Sequence, residues 1–460
     1  MTLIASVSGI RGTIGGTTGN NLTPEAVVRF AAAFASMIKE EGLSTRIVLG
    51  RDGRISGPMV QGLVLNTLLA MGLDVIDLGL TTTPTIEMAV PAEKAGGGII
   101  LTASHNPKHW NALKLLNSKG EFISADEGNR LLRIADANVI EFAQVDDLGK
   151  HYLAGDYIDY HVNAVLNLPY IDVEGIRLKK FHVVVDPVNS SGAIAIPKLL
   201  KALGVTFSMI NQDVTGIFAH NPEPLPEHLH DLRLAVQDQK ADLGIAVDPD
   251  VDRLALVAED GSWFGEEYTL VAAADLVLQQ NPGPVVHNLS SSRALKDLAK
   301  RYEQTCYASA VGEVHVVQKM KDVNATIGGE GNGGVILPEL HYGRDAIAGV
   351  AMILSLLAQT NQTLSELKET YPSYAMAKHK VDLPTDEDWL RIMDAVKEEY
   401  KLFEINEVDG LKVDLPEGWF HLRKSNTEPI IRIYAEGTDS TRAEHIAQTI
   451  TNLIQHVVNQ

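Results

Sequence analysis

The sequence predicts three related α/β domains followed by a smaller α+β domain, and three observations carry that reading. Near-continuous valine and isoleucine runs alternate with helical segments, the pattern of parallel strands covered on both faces by crossover helices. The layout recurs along the chain, with little identity between copies. The C-terminal stretch then breaks it. A length of 460 residues accommodates roughly three domains of about 150 residues each, with substantial cores.

The first copy reads as a strand (RIVLG, from Arg46), a polar loop (RDGRISG, from Arg51), an apolar helix (PMVQGLVLNTLLAMG, from Pro58) and a second strand (LDVIDLGL, ending at Leu80). FHVVVD, PVNSSG, AIAIPKLLKALG and VTFSMI repeat the plan from Phe181, and PVVHNL, SSSR, ALKDLAKRYEQ and TCYASAV repeat it from Pro284. In the tail, DEDWLRIMDAVKEEYKLF has the spacing of an amphipathic helix, LKVDLPEGWFHLRKS and PIIRIYAEG read as strands, and the residues from Ser440 read as a closing helix. The polar stretch from Thr360 to Ser373 joins the tail to the rest, and Pro372 disfavours a helix running straight through it. The expected domains are 1–148, 149–250, 251–365 and 372–460.

Hydrophobic residues at 45% and charged residues at 21% describe a soluble globular chain, and no segment nears the roughly 20 apolar residues of a membrane span. The N-terminal residues lack the basic start and apolar core of a signal peptide. Cys306 is the sole cysteine, which excludes an internal disulfide and fits a reducing, cytoplasmic location. A formal charge of −20 repels nucleic acid and anionic membrane, so neither is an expected partner. A small anionic substrate stays possible where positive charge or a metal gathers around it. Both a monomer and a homodimer are compatible with the sequence.

Four segments could carry chemistry. In LTASHNPKHWNALKLL, from Leu101, Ser104 sits on a loop just past a strand end, where α/β proteins place ligands. A hydrolase nucleophile elbow needs glycines where Thr102 and Asn106 stand, and Ser104 and His105 need not face one another. A plain Asx-Pro turn and a reactive serine both remain open from these residues. In AVDPDVDRLALV, Asp248, Asp250 and Asp252 alternate, so their carboxylates can converge, repel and call for a cation; a solvated acidic turn is the other reading. The sixth-position glycine of an EF-hand is replaced by Arg253, and magnesium with additional ligands suits three carboxylates better than a closed calcium cage. In TIGGEGNGGVILPE, glycines around Glu330 and Asn332 permit close backbone approach, yet neither a P-loop nor a dinucleotide fingerprint is present. Glu330 would repel phosphate but can accept bonds from sugar hydroxyls; a structural glycine turn is the other reading. In HLRKSNTEPIIRIYAEG, Arg423, Lys424, Ser425, Asn426 and Thr427, with Arg432 beyond them, form a candidate anion site in an otherwise acidic chain; a charged surface face is the other reading. A serine on a strand-end loop, a metal triad, a hydroxyl-reading loop and a phosphate clamp together describe phosphoryl transfer on a phosphorylated polyol.

These segments resemble, in identity and order, the α-D-phosphohexomutase family: TASHNP its phosphoserine loop, DPDVDR its metal loop, GEGNGG its sugar loop and RKSNTEP its phosphate loop. The resemblance spans essentially the whole chain. It implies three related α/β domains plus a C-terminal α+β domain around a central cleft, and interconversion of hexose 6- and 1-phosphates through a phosphoserine and a 1,6-bisphosphate. Ser104 would bear the phosphoryl group, and Asp248, Asp250 and Asp252 would hold one Mg²⁺ per chain together with a phosphoserine oxygen of Ser104. Arg253 would face the moving phosphate, Arg11 matches the arginine of the N-terminal motif, Lys114 is a candidate general acid or base, and His105 lies beside the reacting group. Glu330 and Asn332 would read sugar hydroxyls, while Arg423, Ser425, Asn426, Thr427 and Arg432 would grip the resting phosphate. Glucose or glucosamine 1,6-bisphosphate is the implied activator and intermediate. Glu313 takes a place where dual-specificity members tend to carry histidine and phosphoglucosamine mutases an acid, which favours glucosamine phosphate; SNTEP in place of SGTEP points the other way. Phosphomannomutase/phosphoglucomutase activity is the alternative, and a sugar-phosphate phosphatase or a non-catalytic binding protein the remoter ones.

Overall fold

A computed structural model describes residues 2–6, 9–137, 139–425 and 429–458. Contacts divide the chain into two compact units, residues 1–276 with 332–366, and residues 277–331 with 367–460.

In the first unit, the run from Ile47 to Leu49 and the pair Ile99 and Ile100 are buried on both faces, as continuous β-branched strands between helices should be. They belong to a seven-stranded sheet ordered Ile4–Ser6, Gly9–Thr13, Trp110–Leu116, Gly97–Leu101, Arg46–Arg51, Asp74–Leu80 and His151–Leu153. Arg46–Arg51 runs parallel to both its neighbours. Trp110–Leu116 turns back antiparallel to Gly97–Leu101 and pairs antiparallel with Gly9–Thr13. The sequence reading anticipated the parallel strands, but not the strand at residues 9–13, whose GIRGT has no apolar run.

A second sheet is ordered Leu254–Ala258, Leu243–Val247, His182–Asp186 and Thr206–Met209. Leu243–Val247 pairs antiparallel with Leu254–Ala258 in uninterrupted register. The acidic segment Asp248 to Arg253 is therefore a hairpin connection, fixed at both ends by buried strands. Helix Ala346–Thr360 is apolar on all sides and buried from Ala346 to Leu357, the signature of a central helix. Helices Tyr157–Leu166, Val173–Lys179 and Gly192–Leu203 pack against it.

In the second unit, Val285–Asn288 pairs in parallel with Cys306–Ser309 and Ile327–Glu330. The C-terminal part is a five-stranded antiparallel sheet ordered Ala375–Asp382, Ile430–Gly437, Gly418–Lys424, Leu411–Leu415 and Glu404–Asn406. Leu411, Val413, Phe420, Leu422, Ile431 and Ile433 line its core against Ile392 and Val396 of helix Asp386–Glu399 and Ile446, Ile450 and Ile454 of helix Ser440–Val458. Both helices were legible in the sequence. The strand Ala375–Asp382 was not, because AMAKHKVD carries no β-branched or aromatic run, and the polar joint carries a short helix, Leu364–Glu369, that ends before Pro372. No helix among the described residues is long and apolar enough to cross a membrane.

Phe420 is fully buried and its ring meets that of Tyr400 edge-on at 4.9 Å. Phe420→Ala leaves a cavity in this core, and we expect a loss of about 3–5 kcal/mol in urea denaturation of the whole chain; a loss under about 1 kcal/mol would show that the core collapses around the gap.

Candidate active site

Ser104 lies three residues beyond the strand Gly97–Leu101 and adopts a left-handed backbone, φ 47°, a conformation that costs a serine about a kcal/mol or more and needs support from its surroundings. The support is Arg54. Its guanidinium is 1% exposed and donates to the carbonyls of Ser104, Asn106 (2.7 Å), Pro107 (2.9 Å) and Trp110 (3.0 Å). Asp52 anchors Arg54 at 3.0 Å and accepts from the Thr102 hydroxyl at 2.6 Å, and Thr102 Oγ1 in turn accepts from the Ser104 N–H at 2.9 Å. Burial pushes the Asp52 carboxyl up, with Arg54 opposing. One buried arginine thus ties down the whole turn by its backbone oxygens.

Ser104 Oγ donates to Asp248 Oδ2 at 2.7 Å. Asp248, Asp250 and Asp252 are each at most 1% exposed, and their ligand oxygens lie within 4.8 Å of one another. The connection is held in shape by Asp248 Oδ1, which accepts from the N–H groups of Asp252 and Arg253 at 3.1 Å each. Between Asp250 and Asp252, Val251 takes φ 63°, strained for a β-branched residue. Lys114 Nζ stands 2.8 Å from Asp250 and 3.7 Å from Asp252, Thr83 Oγ1 donates to Asp250 at 2.7 Å, and Arg344 Nη2 donates to Asp252 at 2.6 Å.

Burial, then Asp252 and Asp250, push the Asp248 carboxyl well up. Burial also opposes ionisation of Asp250, but Lys114 and the bonds from Lys114 and Thr83 outweigh it and hold that carboxyl down. Lys114 is raised because Asp250 and Asp252 overcome its own burial. Burial, Arg253 and Arg344 push His105 down to about 2, so it stays neutral. His105 Nδ1 is 3.5 Å from Ser104 Oγ, at the outer limit of a hydrogen bond.

Among the described residues, Asp250 Oδ1 and Asp252 Oδ1 are buried and accept no hydrogen bond. Buried anionic oxygens without donors are costly, and three convergent carboxylates with an adjacent hydroxyl form an oxygen set suited to a hard divalent cation. The residues present fit magnesium.

The first unit brings together Ser104, His105, Lys114, Asp248, Asp250, Asp252 and Arg253, the last 9% exposed with Nε 3.8 Å from Asp252. Arg11 is in register with Ala112, two residues from Lys114 on the neighbouring strand, hence on the same sheet face. Asn332 Oδ1 accepts from the Gly334 N–H at 3.2 Å. Thr83, Arg54, Asp52 and Arg344 were missed by sequence reasoning. RDGRISG at a strand end and HYGRD before an apolar helix were the available signals.

The second unit holds the remaining predicted residues. Glu330 ends its strand 4% exposed, and Oε1 accepts from Asn288 at 2.8 Å and from the Gly312 N–H at 3.0 Å. Glu313 follows Gly312 as the first residue of helix Glu313–Val323 and is buried. Arg423 and Arg432 lie directly opposite on antiparallel strands, an arrangement of like charges that an anion relieves; Arg423 is also 2.8 Å from Asp409. Ser425 is buried and its N–H donates to Ile430 O at 2.9 Å. Asn426 and Thr427 lie outside the described residues.

Comparison with known proteins agrees with this geometry. Residues 3–139, 156–261 and 264–374 match the alpha/beta/alpha domains I, II and III of phosphoglucomutase/phosphomannomutase, and 379–453 match its C-terminal domain. The chain belongs to the phosphoglucomutase/phosphomannomutase family. It is similar to a phosphoglucomutase/phosphomannomutase of Thermococcus kodakarensis (34% identical, covering 97% of this chain and 98% of the relative). It is also similar to a phosphoglucosamine/phosphogalactosamine mutase of Sulfurisphaera tokodaii (33%, covering 98% of each). A crystal structure of a Burkholderia thailandensis member superposes with a TM-score of 0.84 at 27% identity, covering 99% of this chain and 96% of that one.

Arg54→Lys removes the planar fork and leaves at least one carbonyl of the Ser104 turn buried without a donor. We expect a loss of about 2–4 kcal/mol in denaturant unfolding, together with lowered turnover; a variant as stable as wild type would show that the turn holds itself.

Proposed function

We propose that this protein is a phosphohexomutase that interconverts hexose 6-phosphate and hexose 1-phosphate, with glucosamine phosphate as the preferred substrate. The observation that carries the reading is the Ser104 hydroxyl seated 2.7 Å from Asp248 in a buried aspartate triad, since a serine that receives and gives up phosphate needs a cation at that place. The names of the relatives, a phosphoglucosamine/phosphogalactosamine mutase among them, support the class.

In this mechanism, the bond between phosphorus and the Ser104 oxygen breaks as a sugar hydroxyl attacks, giving a 1,6-bisphosphate. The bisphosphate turns over, and its other phosphate returns to Ser104. Asp248, Asp250 and Asp252, with a phosphoserine oxygen, would hold Mg²⁺, which when bound supplies charge neutralisation to the transferred group. Arg253 and Arg11 add fixed positive charge on the moving phosphate. His105, neutral, has a lone pair for the attacking hydroxyl's proton, and the Lys114 ammonium can return a proton to the serine oxygen. Arg423, Ser425 and Arg432, with Asn426 and Thr427, would grip the phosphate that is not reacting, as arginine forks and hydroxyls do. Glu330 and Asn332 would accept from sugar hydroxyls, and Glu313 would pair with the ammonium of a 2-amino sugar.

A direct test is Ser104→Ala assayed with glucosamine 6-phosphate: turnover should fall on the order of 10³-fold or more, and unchanged turnover refutes the phosphoserine route. Specificity is read from Glu313→His with glucosamine, glucose and mannose phosphates side by side. Relative kcat/KM for the amino sugar should drop at least about tenfold, or roughly 1.4 kcal/mol; an unaltered preference removes the reason for favouring glucosamine and leaves the phosphoglucomutase/phosphomannomutase range.

A further inference from the structure

A second cluster of ionisable groups lies in the first unit outside the aspartate triad. His161 Nε2 and His341 Nε2 both point at one oxygen, Asp345 Oδ2, at 2.7 and 3.2 Å. The other oxygen of Asp345 accepts from the N–H groups of Ile347 and Ala348 at 2.8 and 3.1 Å, capping helix Ala346–Thr360. On the far side of each imidazole stands an acceptor: Thr85 Oγ1, 3.0 Å from His161 Nδ1, and Glu87 Oε2, 3.2 Å from His341 Nδ1. His161, Asp345 and Glu87 are 0%, 2% and 1% exposed.

Glu87 marks this cluster as more than a satisfied ion pair. Its carboxylate is buried, yet among the described residues neither oxygen accepts an aligned hydrogen bond, although His341 is close. Gly343 is shaped around it, since a Cβ there would fall 1.9 Å from Glu87 Oε2.

We infer that His161 Nε2, His341 Nε2 and Asp345 Oδ2 form a binding site for a borderline divalent cation of the zinc type, with Glu87 and Thr85 as the outer partners that orient the two imidazoles. The ligand atoms lie within 4.8 Å of one another. A bound imidazole turns its lone pair to the metal and its N–H outward; both outward positions hold acceptors here. A charge of +2 against Asp345 and Glu87 leaves the cluster neutral. Donor chemistry separates it from the triad: two imidazoles and one carboxylate suit zinc or cobalt, whereas an all-oxygen set suits magnesium. Such an ion ties helix Thr83–Ala92 and helix Tyr157–Leu166 to the residues just before helix Ala346–Thr360, adjacent to Arg344 on Asp252. The inference stands independently of which sugar phosphate is turned over.

The test uses full-length protein stripped with chelator, loaded with zinc in excess magnesium, desalted and analysed for metal. One equivalent of zinc per chain should be retained, persist in Asp250→Asn, and be lost in His161→Ala and His341→Ala. Cobalt loaded in the same way into wild type should give the visible absorption of a low-coordinate site with nitrogen ligands, a readout that needs no variant to fold. Absence of retained zinc, absence of the cobalt bands, or retention unchanged in folded histidine variants overturns the site, as does zinc lost in Asp250→Asn while the histidine variants keep it.

Discussion

Three carboxylates within 4.8 Å of one another, each almost wholly buried, are the constraint around which the first unit is organised. Such a group is tolerable only with cations and donors on every side, and they come from remote parts of the chain. Lys114 reaches it from a strand of the first sheet, Arg344 from the residues before the central helix, and Thr83 from the start of another helix. The hairpin of Leu243–Val247 and Leu254–Ala258 keeps the aspartates together, but it supplies no positive charge beyond Arg253. The compact packing of the first unit is in this sense the counterion arrangement of one loop.

The serine turn solves a separate problem of the same kind. A tight loop past a parallel strand exposes carbonyls that no neighbouring strand can pair. Arg54 takes four of them at once, and Asp52 compensates its charge. The left-handed Ser104 is therefore supported by a buried cation that holds the backbone carbonyls of the turn, together with the Thr102 hydroxyl, which accepts from the Ser104 N–H.

The parallel strands, the tail helices and the aspartate triad were legible in the sequence, since each follows a local rule: a β-branched run, an amphipathic period, carboxylates at alternate positions. The strands Gly9–Thr13 and Ala375–Asp382 escaped because their neighbours in the sheet, and not their own residue types, make them strands. In the site, Ser104, Asp248, Asp250 and Asp252 were readable, whereas Arg54 and Arg344 look like solvated charge in polar loops until their partners are known. The carbonyls that Arg54 serves lie 50 and more residues away, and Asp252 stands 92 positions before Arg344. Glu87 and His161 escaped for the same reason, each lying far along the chain from the His341–Asp345 pair.

The order of assembly follows from how the first unit is cut. Its two segments, residues 1–276 and 332–366, are separated by residues that belong to the other unit. A ribosome therefore delivers the aspartates and Lys114 well before Arg344, Asp345 and the helix Ala346–Thr360. Until that later segment emerges, Asp252 has no Arg344 to accept from and the helices around residues 157–203 lack the central apolar helix that packs against them. The first unit can therefore complete its packing only after residues 277–331, which belong to the other unit, have been synthesised.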